Sequence, residues 1–82
     1  METFGKKLTE LRKQKGMSQE QLAFDLNISQ SSVSNYESGR TTPDMGIMQL
    51  IADYFQVPIT YFFQTKKLYF SPMKIMAEIS AI

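Results

Sequence analysis

The chain has no cysteine and no histidine, and these two absences exclude most catalytic and metal-binding chemistry. Without cysteine it has neither a disulfide framework nor a thiolate metal site. Without histidine it lacks the commonest general base and the commonest metal ligand. Its eight acidic residues show no paired-carboxylate or nucleophile pattern. We therefore expect that the protein is not an enzyme and that it uses no metal or other cofactor.

Long apolar runs are also missing from the sequence. No stretch approaches the roughly 18 residues that a membrane-spanning helix requires. The apolar positions near the N-terminus are interrupted by Lys6, Lys7 and Glu10, which is unlike a signal peptide. We expect a cytoplasmic protein without a membrane partner. A chain of 82 residues is long enough for one domain with a modest core.

The chain also has little excess charge, since nine basic and eight acidic residues give a net charge of +1. A non-specific nucleic-acid binder usually carries a large positive excess, so the composition disfavours that class. A sequence-specific binder needs only a few placed cations, because backbone N–H groups also hold phosphates. The small net charge is therefore compatible with specific binding.

The middle of the chain contains two helix starts that follow each other closely. Ser18 begins a capping-box pattern, and Ser29 is a second N-cap. Asn27 suits the end of the first helix because asparagine tolerates the left-handed conformation better than most residues. Two short helices over residues 19–26 and 30–38, joined by a tight turn, form a helix-turn-helix unit.

The second helix of this unit has a polar but uncharged outward face. Its apolar positions, Val33 and Tyr36, share the opposite face. A merely solvated surface would favour lysine and glutamate, which form helices better than serine and asparagine. Glutamine and asparagine can bond bidentately to adenine in the major groove, and serine can also bond to bases. The side chains that we predict to contact bases are Gln30, Ser31, Ser34 and Asn35.

The same stretch carries a pattern of residue types at fixed spacing. It consists of Ser18-Gln19-x-x-Leu22-Ala23, then Ile28-Ser29-Gln30-x-x-Val33-Ser34-x-Tyr36-Glu37-x-Gly39, and then Pro43. This pattern resembles the Cro/cI-type helix-turn-helix family, also called the Xre family, and the resemblance covers roughly residues 4–63. Phage repressors, antitoxins and restriction controllers share this fold. The resemblance implies an all-α, five-helix, lambda-repressor-like domain that binds double-stranded DNA.

The resemblance also implies roles for individual residues. Arg12 is expected to form a partly buried bridge to Glu37, and Gln19 to bond a phosphate and to brace Gln30. In this family the second helix of the unit is the recognition helix, and the loop after it is expected to follow the DNA backbone. The further residues expected to contact phosphates are Ser29, Arg40, Thr41 and Thr42. The distribution of charges, rather than the resemblance, places Lys6, Lys7, Lys13 and Lys15 among the cations expected near DNA. At each position an ordinary solvated side chain is the alternative.

The remaining helices are predicted to be scaffold. The first is expected over residues 3–15, with one apolar face. A fourth is expected over residues 45–55 and a short fifth over residues 59–63. On the fourth helix, the side chains predicted to be buried are Ile47, Leu50, Ile51 and Tyr54.

Residues 64–82 lie beyond the resemblance, so we predict a DNA-binding domain over residues 1–63 and a C-terminal extension over residues 64–82. A helix is predicted to begin at Ser71-Pro72, because serine caps a helix and proline fits its first position. The apolar stripe of this helix must be buried, either on its own domain or on a second copy. The residues that we predict at a homodimer interface are Tyr69, Phe70, Ile75, Met76, Ile79 and Ile82.

The sequence therefore favours a sequence-specific DNA-binding transcriptional regulator, which we expect to be a repressor that binds an inverted-repeat operator as a homodimer. The alternative is a protein-binding adaptor or antitoxin whose C-terminal half holds a partner protein. The face that carries Gln30 and Asn35 distinguishes the two, since an adaptor has no need of small amide and hydroxyl groups there. The operator sequence does not follow, because DNA shape contributes at positions the protein never touches.

Overall fold

The computed structural model describes residues 3–63, and these form four α-helices followed by a 3-10 helix. Their bounds are α1 Phe4–Gln14, α2 Gln19–Leu26, α3 Gln30–Ser38, α4 Met45–Phe55 and the 3-10 helix Ile59–Phe63. No strand occurs in this part of the chain, so the all-α class is confirmed for it. The predicted extension of residues 64–82, with its helix from Ser71 and its interface residues, lies outside the described residues.

The last element differs from the predicted fifth helix of the family fold. Residues 59–63 form a 3-10 helix, in which Tyr61 N donates to Pro58 O at 2.9 Å. A segment this short, directly after a proline, is typical of 3-10 geometry, which is used mostly in short pieces. The described residues therefore contain four α-helices rather than five.

The ends of α2 and α3 follow from local hydrogen bonds. In α2, Ser18 Oγ accepts from Gln21 N at 3.0 Å, and Gln21 Oε1 accepts from Ser18 N at 2.8 Å. Asn27 ends α2 in the left-handed conformation, with φ of 60°. Gly39 ends α3 with φ of 83°, which glycine adopts without strain. The predicted capping box and the predicted bounds of both helices are confirmed.

The core joins the helices through a small set of apolar side chains. Leu8 of α1, Leu22 of α2 and Val33 of α3 have no solvent exposure. Burying each such side chain contributes roughly 1.5–3 kcal/mol relative to leaving it in water. The other buried apolar residues are Ala23, Leu26, Met48, Ile51, Ala52 and Phe62. This core holds α3 against both α1 and α2.

The buried face of α4 is rotated from the predicted one. Met48, Ile51 and Ala52 are buried, whereas Leu50 is 43% exposed. Most residues of α4 are apolar, so the periodicity does not locate the centre of its buried face. Contacts with α2 and with the 3-10 helix decide the rotation instead.

Two further properties concern the helices of residues 3–63. None of them is long and apolar enough to cross a membrane. The same residues contain no group of three or more acidic, histidine or cysteine side chains that could hold a metal ion.

Candidate nucleic-acid interface

Helix α3 turns one face to the core and presents a polar face to solvent. Val33 is buried and Tyr36 is half-buried, whereas Gln30, Ser31 and Ser34 are exposed. Within residues 3–63, none of these three polar side chains forms a hydrogen bond. Their amide and hydroxyl groups are therefore available to the donors and acceptors at the edges of base pairs.

Asn35 is placed differently from the other three residues that we predict to contact bases. It is half-buried in the last part of α3. Its side-chain Oδ1 accepts a hydrogen bond from Arg40 Nη1 at 3.4 Å. Its backbone carbonyl accepts from the N–H groups of Arg40 at 3.0 Å and Thr41 at 3.3 Å. Asn35 therefore belongs both to the recognition helix and to the loop that follows it.

The predicted phosphate contacts lie at the two ends of α3. Arg40, Thr41 and Thr42 are exposed in the loop after the helix. Ser29 is exposed at its start, where its Oγ accepts a hydrogen bond from Ser32 N at 3.0 Å. The Ser29 and Ser32 hydroxyls also share a hydrogen bond at 2.9 Å in which either can donate, so the proton of one of the two hydroxyls remains a donor for a phosphate oxygen.

An ion pair joins α1 to the end of α3. Arg12 Nε donates to Glu37 Oε2 at 2.6 Å, and Arg12 Nη2 donates to Glu37 Oε1 at 3.0 Å. A third donor, Arg12 Nη1, bonds the carbonyl oxygen of Met17 at 2.7 Å. The two side chains are only 12% and 7% exposed. One guanidinium therefore connects α1, the turn before α2, and the recognition helix.

Gln19 belongs to this network. Its Nε2 donates to Glu37 Oε1 at 3.0 Å, and no hydrogen bond joins it to Gln30 within the described chain. The bracing contact expected at the start of α3 is therefore made at the end of α3 instead. A glutamine amide carries two N–H donors, so one of them remains for a phosphate.

The charges of the bridge are stabilised as a pair. Burial raises the pKa of Glu37, but the hydrogen bonds from Arg12 and Gln19 and the charge of Arg12 lower it by more. The net result is a pKa below the usual glutamate range. The hydrogen bond to Glu37 is the main cause of a raised pKa for Arg12. Both groups therefore stay ionised at neutral pH.

This lowered pKa predicts a loss of stability in acid. An unfolded glutamate titrates at about 4.3, so the contribution of Glu37 is fully present above that value. It is lost as the pH falls through the lower pKa of the folded state, because over this range the unfolded protein binds a proton that the folded protein resists. Urea unfolding between about pH 7 and about pH 2 measures this change. The Glu37→Gln variant, which cannot titrate there, is the control, and parallel losses in both proteins would contradict the assignment.

Lys7 does not lie on the exposed surface where a DNA-facing cation was expected. It is 6% exposed, and its Nζ donates to the carbonyl oxygen of Tyr61 at 2.8 Å. The Nζ also lies 5.0 Å from the centre of the Tyr61 ring. A lysine can bury its aliphatic stem while its ammonium reaches a polar partner, and sequence patterns do not show this. Lys7 therefore attaches the 3-10 helix to α1.

Gly5, which the sequence patterns do not single out, permits the closest approach between α1 and α3. A Cβ atom there would lie 2.5 Å from Glu37 O and 2.6 Å from Tyr36 O. Both are backbone atoms and cannot rotate away. The only local signal is a glycine inside a helix, where it is less favourable than alanine by roughly 1 kcal/mol. Gly5 therefore allows α1 to pack closely against the end of α3.

The arrangement of α2 and α3, with a polar outward face on α3, defines a helix-turn-helix protein. The family model described as Helix-turn-helix matches residues 8–62. The chain belongs to this family, in its Cro/cI-type or Xre branch, and the resemblance seen in the sequence is confirmed.

The known proteins that are similar to this chain include a transcriptional activator and a DNA-bound protein of solved structure. The HTH-type transcriptional activator BcrR of Enterococcus faecalis is 41% identical over 56 residues, which are 68% of this chain and 28% of BcrR. Bacillus thuringiensis PlcR, in a crystal structure with the peptide PapR7 and DNA, is 33% identical with a TM-score of 0.69. That match covers 95% of this chain and 27% of PlcR. The chain thus spans less than a third of the length of either protein.

Proposed function

We propose that the protein is a sequence-specific DNA-binding transcriptional regulator that inserts α3 into the major groove. The observation that carries this proposal is the exposed, uncharged face of Gln30, Ser31 and Ser34, with Asn35 at its edge. The core and the bridge from Arg12 hold α3 in one orientation, which base recognition requires. The comparisons support this class of function, since BcrR is named a transcriptional activator and PlcR was crystallised with DNA.

The phosphate contacts in this proposal come mainly from neutral donors. We assign them to the two ends of the helix-turn-helix unit, where α2 crosses the backbone and the loop after α3 follows it. The residues concerned are Gln19, Ser29, Arg40, Thr41 and Thr42. Hydroxyl and amide donors release few counterions, so we expect affinity to depend less steeply on salt than for a strongly basic protein.

We further propose that the protein binds an inverted-repeat operator as a homodimer. One recognition helix reads only a few base pairs, and each mismatch costs only about 1–3 kcal/mol. Two copies related by a two-fold axis would read two half-sites about one helical turn apart, which multiplies the discrimination. The interface proposed for this dimer is the segment of residues 64–82.

Repression is the regulatory effect that we propose, because a dimer bound across a promoter excludes polymerase sterically. BcrR, which has a related domain, is by contrast named an activator. The direction of regulation depends on where the operator lies, while recognition by α3 is the same in both cases.

Site selection from random duplex DNA, followed by Gln30→Ala, tests the proposal. We expect enriched inverted repeats, and a loss of about 1–3 kcal/mol for Gln30→Ala on the selected site, the usual worth of a good bidentate contact. Binding to a scrambled duplex should barely change. The matched control is Gln49→Ala, which removes an exposed glutamine of α4 and should leave both affinities unchanged.

Equal losses on the selected and scrambled duplexes would show that Gln30 touches only the backbone. A selection without any enriched sequence would contradict the proposed function. It would favour the adaptor or antitoxin alternative, in which a partner protein covers exposed apolar side chains. Phe63 on the 3-10 helix lies in the C-terminal half and is 58% exposed, and this is the observation that favours the second function.

A further inference from the structure

The loop after α3 folds back onto Asn35. The carbonyl oxygen of Asn35 accepts hydrogen bonds from Arg40 N at 3.0 Å, Thr41 N at 3.3 Å and Ser38 Oγ at 3.2 Å. Ser38 Oγ in turn accepts from Arg40 N at 3.3 Å. Gly39, with φ of 83°, makes this reversal possible. The backbone of Arg40 is therefore anchored beside Asn35 independently of the Arg40 side chain.

This anchoring brings the two side chains together. Arg40 Nη1 donates to Asn35 Oδ1 at 3.4 Å, a long but direct hydrogen bond. Asn35 is half-buried, whereas Arg40 is exposed, so the asparagine is the more restricted partner. A guanidinium carries five N–H donors in a planar fork. Arg40 donates one of these N–H groups to Asn35, so the others remain for a phosphate.

We propose that Arg40 is a positioning residue that holds the Asn35 amide by its oxygen and so sets the base that Asn35 reads. This inference rests on the proposed DNA-binding function. A free asparagine bonds adenine bidentately, because its oxygen accepts from N6 while its NH₂ donates to N7. The amide oxygen has a second lone pair, but the Arg40 guanidinium places positive charge beside it, which disfavours the approach of the adenine N6 amino group as a further donor. The NH₂ group of Asn35 remains available as a donor. Guanine offers only acceptors in the major groove, N7 and O6, so it becomes the favoured base.

Site selection with the wild-type protein and three variants tests this inference. We expect the wild-type protein to prefer guanine at one position of each half-site, and Asn35→Ala to lose preference at that position alone. Arg40→Ala should weaken binding to all sequences and shift the same position from guanine towards adenine by roughly tenfold, within the discrimination of a bidentate pair. Arg40→Lys keeps a cation for the phosphate but lacks the planar fork. Arg40→Lys should restore much of the affinity without restoring the preference for guanine.

A pair of glycine variants separates positioning from stability. Gly39 and Gly16 both have positive φ, and a Cβ atom at either position would meet no atom within 4 Å. Gly39→Ala and Gly16→Ala should therefore strain the backbone to a similar degree. Only Gly39→Ala displaces Arg40 from Asn35, so only this variant should repeat the shift from guanine to adenine. The same shift in both variants would overturn the inference.

A measurement without DNA tests the contact itself. The side-chain NH₂ resonances of Asn35 in the full-length protein should move in Arg40→Ala and should not move in Gly16→Ala. Unchanged resonances in Arg40→Ala would overturn the inference, even if the protein binds DNA specifically. A uniform loss of affinity with guanine retained would also overturn it, because Arg40 would then act on phosphate alone. If the resonances move but no sequence is enriched, the proposed function fails and the assigned base preference fails with it.

Discussion

Gly5→Ala is expected to lower the free energy of unfolding by about 3 kcal/mol, the upper part of the usual range for overpacking a close contact. The added methyl group would lie 2.5 Å from Glu37 O and 2.6 Å from Tyr36 O. Since neither backbone atom can turn aside, α1 and the end of α3 must separate. That movement would also pull Arg12 away from Glu37, so the strain and the weakened ion pair act in the same direction.

Gly46→Ala is a closely matched control for this experiment. Gly46 is the second residue of α4, as Gly5 is the second residue of α1. A Cβ at Gly46 would only reach Asp44 Oδ1 at 3.5 Å, an ordinary contact. There alanine should stabilise the helix by up to about 1 kcal/mol. Urea unfolding of both variants measures the difference, and a Gly5→Ala protein as stable as Gly46→Ala would contradict the close approach.

The second large effect is expected from breaking the bridge between Arg12 and Glu37. Arg12→Met and Glu37→Met should each cost about 3 kcal/mol, because each leaves a nearly buried charge without its partner. The double substitution should cost less than the sum of the two, since it leaves neither charge behind. The difference is the coupling energy, for which contacting residues give about 0.5–3 kcal/mol.

A double-mutant cycle in urea at neutral pH measures this coupling. The control cycle uses Gln49 and Asp53, an exposed pair within α4 whose side chains bond at 2.8 Å. Pairs of this kind on a helix surface contribute only about 0.2–0.5 kcal/mol. Strict additivity for Arg12 and Glu37, or a coupling no larger than in the control, would show that the bridge does not stabilise the fold.

The ion pair between Arg12 and Glu37 has a use in the proposed DNA-binding function that its net stability does not explain. Desolvation offsets much of the attraction between two buried charges, so the pair contributes little net stability compared with apolar packing. Its geometry, however, joins α1, the turn at Met17 and the end of α3 through directional hydrogen bonds. Directional bonds restrict how α3 is oriented, and in the proposed function this orientation decides which bases its side chains reach.

Sequence alone determined the helix-turn-helix unit, because its boundaries depend on interactions within a few residues. Ser18 and Gln21 cap each other, Asn27 adopts the left-handed conformation, and Gly39 directly follows the predicted last residue of α3. The polar face of α3 was equally visible, since helical periodicity assigns residues to faces. Local chemistry of this kind is present in the order of the residues, so no tertiary information was needed.

Only the tertiary structure decided how these elements meet. The burial of Lys7 under Tyr61 and the exposure of Leu50 depend on neighbours that lie far along the chain. The same is true of Gly5, whose missing Cβ matters only because the end of α3 lies against it. Periodicity shows which residues share a face, but the distance between two faces depends on the packing of every side chain between them. The orientation of the recognition helix is therefore a property of the packed fold.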